Sequence, residues 1–164
     1  METAAAPVLP FLLLAAPLCL YAAWSDLKFM RIPNWLSIAA LVGFIVLGLI
    51  FLPISLIGWR LLAGFVVLVI GFLLNMMGIL GGGDAKFGAA MIPFIAYGDF
   101  GTFALIFAGM LILTLILHRL ARATPIKNLA PDWESWHSGK FFPMGSAISS
   151  AVIFYLTAQY LQTA

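Results

Sequence analysis

The sequence predicts an all-helical integral membrane protein of about six transmembrane helices, on three observations. Of 164 residues, 64% are hydrophobic and only 9% charged, with a mean hydropathy of +1.13. A soluble domain of this length has no interior large enough to hide that much apolar surface, so the solvent is lipid. The apolar residues fall in long runs, and a bilayer core of roughly 30 Å takes about 20 helical residues per crossing. Within the runs the apolar residues are continuous and do not alternate with period two, which favours helices over a barrel.

The first run, residues 7–24, contains "LPFLLLAAPLCLYAAW". It has the apolar length of a signal peptide, but only Glu2 precedes it where a basic region is wanted. A lipoprotein signal would use Cys19, and Leu18 before it is too large for that pattern. The run is therefore expected to be the first transmembrane helix. Cys19, the only cysteine, packs there as a small hydrophobe and has no internal disulfide partner.

Runs 35–52 and 59–80 are long enough to cross. The fourth, 88–97, is too short to span unaided, and is either a short helix buried among its neighbours or one that borrows residues from the glycines before it. Runs 102–117 and 141–161 complete the set.

The basic residues order these runs across the bilayer. Lys28 and Arg31 lie between the first two runs, Lys86 between the third and fourth, and Arg119, Arg122, Lys127 and Lys140 between the last two. The opposite side holds only Arg60, at a helix edge. The positive-inside rule then puts both termini outside and the basic loops in the cytoplasm. The net charge of +2 is thus a topology signal and predicts no nucleic-acid partner. The long connection "HRLARATPIKNLAPDWESWHSGK" carries Trp133 and Trp136, expected to anchor it among lipid headgroups. His118 and His137 are expected to be interfacial polar residues.

Six acids remain to be sorted. Glu2, Asp132 and Glu134 sit in a tail or a loop, and Asp99, in "YGDFG", falls in a tight outside turn. Asp26, in "AAWSDLKFMRIPNWL", closes the first helix, and Asp84, in "GILGGGDAKFG", follows the third. Both are at cytoplasmic helix ends, hence at one membrane depth, and ionisable groups there are costly enough to be functional candidates. Taken singly, Asp26 reads equally as an interfacial acid paired with Lys28 or Arg31, and Asp84 as the N-cap of the fourth helix. Taken together they meet the need of an aspartyl protease, in which two close carboxyls share one proton and divide the roles of acid and base.

The triplet Gly81, Gly82 and Gly83 beside Asp84 fits that chemistry. Glycines adopt positive φ and let backbone approach a partner chain without a Cβ between them, as a hinge beside a peptide-binding site requires. A helix C-cap would need only one.

These residues resemble the type IV prepilin peptidases. "GGGD" matches the GxGD motif of membrane aspartyl proteases, and "GGGDAK" continues it with Gly-Asp-x-Lys. "SDLKFMRIPNWL" is similar to that family's first aspartate segment, and "FFPMGSAIS", with Pro143 and Gly145, to the opening of its last helix. The three motifs come in the family's order over about residues 8 to 160. The resemblance implies a GxGD-type bundle with Asp26 and Asp84 as the catalytic pair, and with Gly81, Gly82, Gly83 and Lys86 as hinge or substrate-binding residues. It implies a prepilin substrate whose leader is cut at the cytoplasmic face of the inner membrane, just before a hydrophobic segment, with lipid as the other partner and no metal or cofactor.

One departure narrows it. Bifunctional members carry a cytosolic domain with two CxxC pairs and also methylate the new amino terminus. With one cysteine, no Cys₄ zinc site can be built, and the first cytoplasmic loop is short. The chain resembles the peptidase-only form, a single membrane domain over residues 1–164, of the kind associated with Flp/Tad-type pili. HExxH and GxSG are absent, which argues against metallo- and serine protease chemistry. The remaining alternative is a small transporter or assembly subunit using Asp26 and Asp84 for protons or cations. It gives no reason for the glycine triplet.

Overall fold

A computed structural model describes residues 7–138 and 142–163. Glu2, Lys140 and Phe141 lie outside the described residues. Six α-helices form in chain order: α1 (Val8–Phe29), α2 (Asn34–Phe51), α3 (Ile54–Met76), α4 (Gly82–Met91), α5 (Phe100–Ala123) and α6 (Met144–Thr163). Short 3₁₀ turns at Ile92–Phe94 and Tyr97–Asp99 join α4 to α5, and others at Pro125–Leu129 and Glu134–Trp136 lie in the long connection to α6. No strand is present among the described residues.

α1, α2, α3 and the segment Tyr97–Ala123 are long and apolar enough to cross a bilayer. Where the sequence predicts about six crossings, the structure therefore has four apolar spans and two helices of another kind. α6, with 20 residues, has the length to span but carries Ser146, Ser149, Ser150 and Gln159. It packs against both α1 and α5, and the side it turns to protein need not be apolar.

α4 has 10 residues, about 15 Å of helix at 1.5 Å per residue, half a bilayer core. The fourth run thus borrows the glycines: α4 starts at Gly82, and the 3₁₀ turns at Ile92–Phe94 and Tyr97–Asp99 carry the chain on to α5. Packing of α2, α3 and α6 around α4 overrides the low helix propensity of Gly82 and Gly83. The positive φ that the triplet was expected to supply is instead at Gly78, at 71°, in the turn after α3. Gly81 has φ −67° and ψ 139°.

α1 shows how the fold aims the site. Phe11, Ala15, Cys19, Ala22 and Asp26 are buried and recur every three or four residues, one face of a helix. Small residues in the middle of that stripe let α1 lie close to α6. Cys19 is fully buried, its Sγ 3.9 Å from Met91 Sδ. Asp26 ends the stripe, so the geometry that packs α1 on α6 also turns its carboxyl inward.

Two polar expectations are corrected, those for Asp99 and for Trp136 with His118, and the surroundings of Arg60 are added. Arg60 is buried at 7% exposure, its Nη1 donating to the Pro93 carbonyl at 3.3 Å. Asp99 is no simple turn residue, since its carboxylate accepts from Tyr155 Oη at 2.7 Å and Gln159 Nε2 at 2.9 Å, tying α6 to the start of α5. Trp136 and His118 do not face headgroups: both are buried and stacked at 5.1 Å between ring centres, with Trp136 Nε1 donating to the Ala130 carbonyl at 2.8 Å. Trp133 stacks on the outer side of Trp136, at 5.7 Å. The loop folds back onto the bundle as an aromatic cluster.

Candidate active site

Asp26 comes from the last turn of α1, and the chain reverses immediately after it. Met30 takes the left-handed conformation, φ 48° and ψ 39°, and its N–H donates to the Asp26 carbonyl at 2.9 Å. That is an uncommon conformation for a non-glycine residue, and Ser25 Oγ secures the reversal by donating to the Arg31 carbonyl at 2.8 Å. Pro33 then precedes α2.

Asp84 sits in the first turn of α4, with Gly81 at the N-cap position and no side-chain cap bond. The simple N-cap alternative is therefore not what the carboxyl does. A Cβ at Gly81 would lie 2.5 Å from Asp84 Oδ2, so only glycine leaves that oxygen its place. At Gly83 a Cβ would meet the Ile32 backbone N and O at 3.4 Å, bringing α4 flush against the α1–α2 connection. Gly82 faces the Asn75 side chain, 3.6 Å from where its Cβ would be.

The two carboxyls converge on the N-terminus of α6. Gly145 N–H donates to Asp26 Oδ2 at 2.7 Å and also acts on Asp84. As the second residue of α6, Gly145 carries one of the amides with no partner inside its own helix, on the positive end of the helix dipole. Asp26 is 4% exposed, and the Asp84 charge acts on it. Asp84 Oδ1 is buried with no hydrogen-bond partner among the described residues. Burial pushes the Asp84 carboxyl up from 3.8 to about 6, with the Gly145 N–H pulling the other way.

Both carboxyls line one cavity of about 1140 Å³, bounded by Gly78 to Gly81, by Leu111 and Leu115 of α5, and by Asp132, Glu134 and His137 of the long loop. It can admit water and an extended peptide. The arrangement supplies two interacting carboxyls, a fixed amide donor and a space for a reacting bond, the parts of an acid–base hydrolytic pair.

Of the other predicted site residues, Lys86 lies outside this cavity; its Nζ donates to Asn34 Oδ1 at 3.2 Å, joining the "GGGDAK" and "IPN" motifs. Gly81 alone of the triplet lines the cavity. Gly145 is the residue whose role sequence reasoning missed. The signal available was the Pro143-Met144-Gly145 order, a proline followed by a helix start.

Residues 13–118 match the model of the type IV leader peptidase family, leaving α6 beyond the matched stretch. No match is found among curated proteins or solved structures.

Proposed function

Because the chain belongs to the type IV leader peptidase family, membrane aspartic peptidases that remove prepilin leaders, we propose that Asp26 and Asp84 are its catalytic pair. We propose further that its substrate is a Flp/Tad-type prepilin. The observation that carries the catalytic reading is a joint one: two carboxyls from helices far apart in sequence line one cavity, with the Gly145 N–H at the start of α6 bonded to Asp26 Oδ2.

The chemistry follows from one proton shared by the pair. The ionised carboxylate takes a proton from water as the water oxygen attacks the scissile carbonyl carbon, while the protonated carboxyl gives its proton to the carbonyl oxygen. In the resulting tetrahedral intermediate the C–N bond breaks. The first carboxyl hands its proton to the departing amine, and the second carboxylate takes one back from a hydroxyl of the intermediate. One water is consumed and the pair returns to its starting state. Gly145 touches Asp26 and is a positioning residue, holding that carboxyl at the helix terminus.

The active site faces the cytoplasm in this reading and both termini face outward, supported by Lys28, Arg31, Lys86 and Arg119 on the site's side of the membrane. The chain is a single peptidase domain that cleaves without methylating, supported by its single cysteine. The test is purified protein, reconstituted with the prepilin encoded in the same genome, with and without S-adenosylmethionine. Leader loss in both, with no added methyl mass on the new amino terminus, is expected. A methylated product would overturn the peptidase-only assignment, and an uncut precursor the substrate assignment.

A further inference from the structure

Two cavities meet at Asp84. One is the polar space that both carboxyls line. The other is an apolar groove of about 670 Å³ walled by α3 and α5 and floored by α4 and α6. Leu80, Asp84 and Met144 line both. α5 makes the continuity plain. Phe100, Ala104 and Phe107 face the groove, and Leu111, Leu115 and Arg119 face the polar space. They recur every three or four residues, so one stripe of one helix lines both cavities from end to end. On the groove side Phe100, Phe103 and Phe107 are only partly buried, so the groove stays open along α5.

We propose, resting on the catalytic reading above, that the groove between α3 and α5 seats an apolar helical segment of the substrate on one side of the scissile bond, while the polar cavity takes the other side. A peptide bound across Asp84 must change polarity there, because its surroundings do. From Leu62 to Leu74 the α3 wall runs 13 residues, all toward the Asp84 end, about 18 Å of helix. That is enough for more than three turns of substrate helix. A lipid chain would suit the apolar lining equally, but it has no reason to end at a carboxyl. A substrate whose cut bond sits at the membrane surface does.

The test is photo-crosslinking in native membranes with the co-expressed prepilin, in an Asp26→Asn background that holds the precursor and leaves every groove residue intact. Replacing Leu62, Ile70 or Ala104 by p-benzoylphenylalanine should give a prepilin adduct at least tenfold more abundant than at Leu13, which is 66% exposed on α1. Adducts from Leu62 should map about eight residues further from the cleavage site than those from Ile70, the eight-residue offset on α3. Separately, Ala104→Trp, which narrows the groove, should slow prepilin cleavage at least tenfold. Adducts with lipid only, with a second copy of the chain only, equal yields at Leu13, or a reversed residue order would each overturn the groove assignment. The crosslinks do not depend on turnover, so a failure of the catalytic pair would show separately, as cleavage persisting in the Asp26→Asn background.

Discussion

Gly145 N–H and Asp26 Oδ2 are 2.7 Å apart, and no side chain fits between α6 and α1 at that point. A Cβ on Gly145 would lie 2.7 Å from Ile32 Cδ1 and 2.9 Å from Asp26 Oδ2. Gly145→Ala must therefore displace either the Ile32 side chain or the carboxyl. Cleavage is expected to fall at least tenfold, with a stability loss of about 1–3 kcal/mol typical of overpacking. Activity of inserted protein, compared with its thermal midpoint, checks both. Wild-type cleavage would mean that the contact does not position Asp26.

The Asp84 carboxyl sets an acid limit. As pH falls through about 6, Asp84 takes up a proton and the pair loses its ionised member, so the cleavage rate should drop below that pH, approaching tenfold per unit. The linkage to stability has the opposite sense to that of a salt-bridged acid. Between 3.8 and about 6 the folded state binds more protons at Asp84 than the unfolded state, so this residue's contribution to stability falls as pH rises through that window and levels off above it. Asp84→Asn should raise the thermal midpoint more at pH 7.5 than at pH 4. An equal change at both pH values would contradict the burial of an ionisable carboxyl.

Much of this site can be followed in the sequence because its parts obey helical spacing. The stripe from Phe11 through Ala15, Cys19 and Ala22 to Asp26 is a pattern of period 3.6, and it leads to one buried acid. The GGGD motif marks Asp84 equally well. The place of Gly145 could not be read this way, since its contact with Asp26 joins residues 119 apart and depends on where α6 begins. The glycine triplet misled in conformation: propensity suggested a break, whereas packing of α4 against α2, α3 and α6 starts a helix at Gly82. His118 and Trp136 were misjudged for one reason. Hydropathy locates a residue along the membrane normal and says nothing about whether its side chain turns to lipid or to protein.

The glycine at position 83 has a testable packing role. Its Cβ would just fit against the Ile32 backbone, at 3.4 Å, but the branched methyls of valine would not. Gly83→Val should cost about 1–3 kcal/mol and most of the activity. Gly101 has open space around it, and Gly101→Val should stay within about 0.5 kcal/mol. Gly43 is no such control, because a Cβ there would meet Leu14 Cδ2 at 2.5 Å. Equal losses at 83 and 101 would reduce the triplet to generic helix flexibility.

Lys86 offers a sharper distinction. Its only polar contact among those described is the exposed one with Asn34 at 3.2 Å, worth less than about 1 kcal/mol. If the two residues act together, Lys86→Ala, Asn34→Ala and the double variant should have nearly the same thermal midpoint. A loss of cleavage in Lys86→Ala that Asn34→Ala does not share would assign the lysine to substrate.

The central claim is that both carboxyls perform the cleavage, and the most direct measurement is the mass of prepilin produced by Asp26→Asn and Asp84→Asn separately. Asparagine keeps the size of each side chain and removes its ability to exchange a proton. Each variant, inserted at wild-type levels, is predicted to leave the precursor mass unchanged, with residual cleavage at least a thousandfold below wild type, within the range that general acid–base groups contribute, about 10²–10⁴. Mature pilin formed at near wild-type rate by either variant would contradict the account.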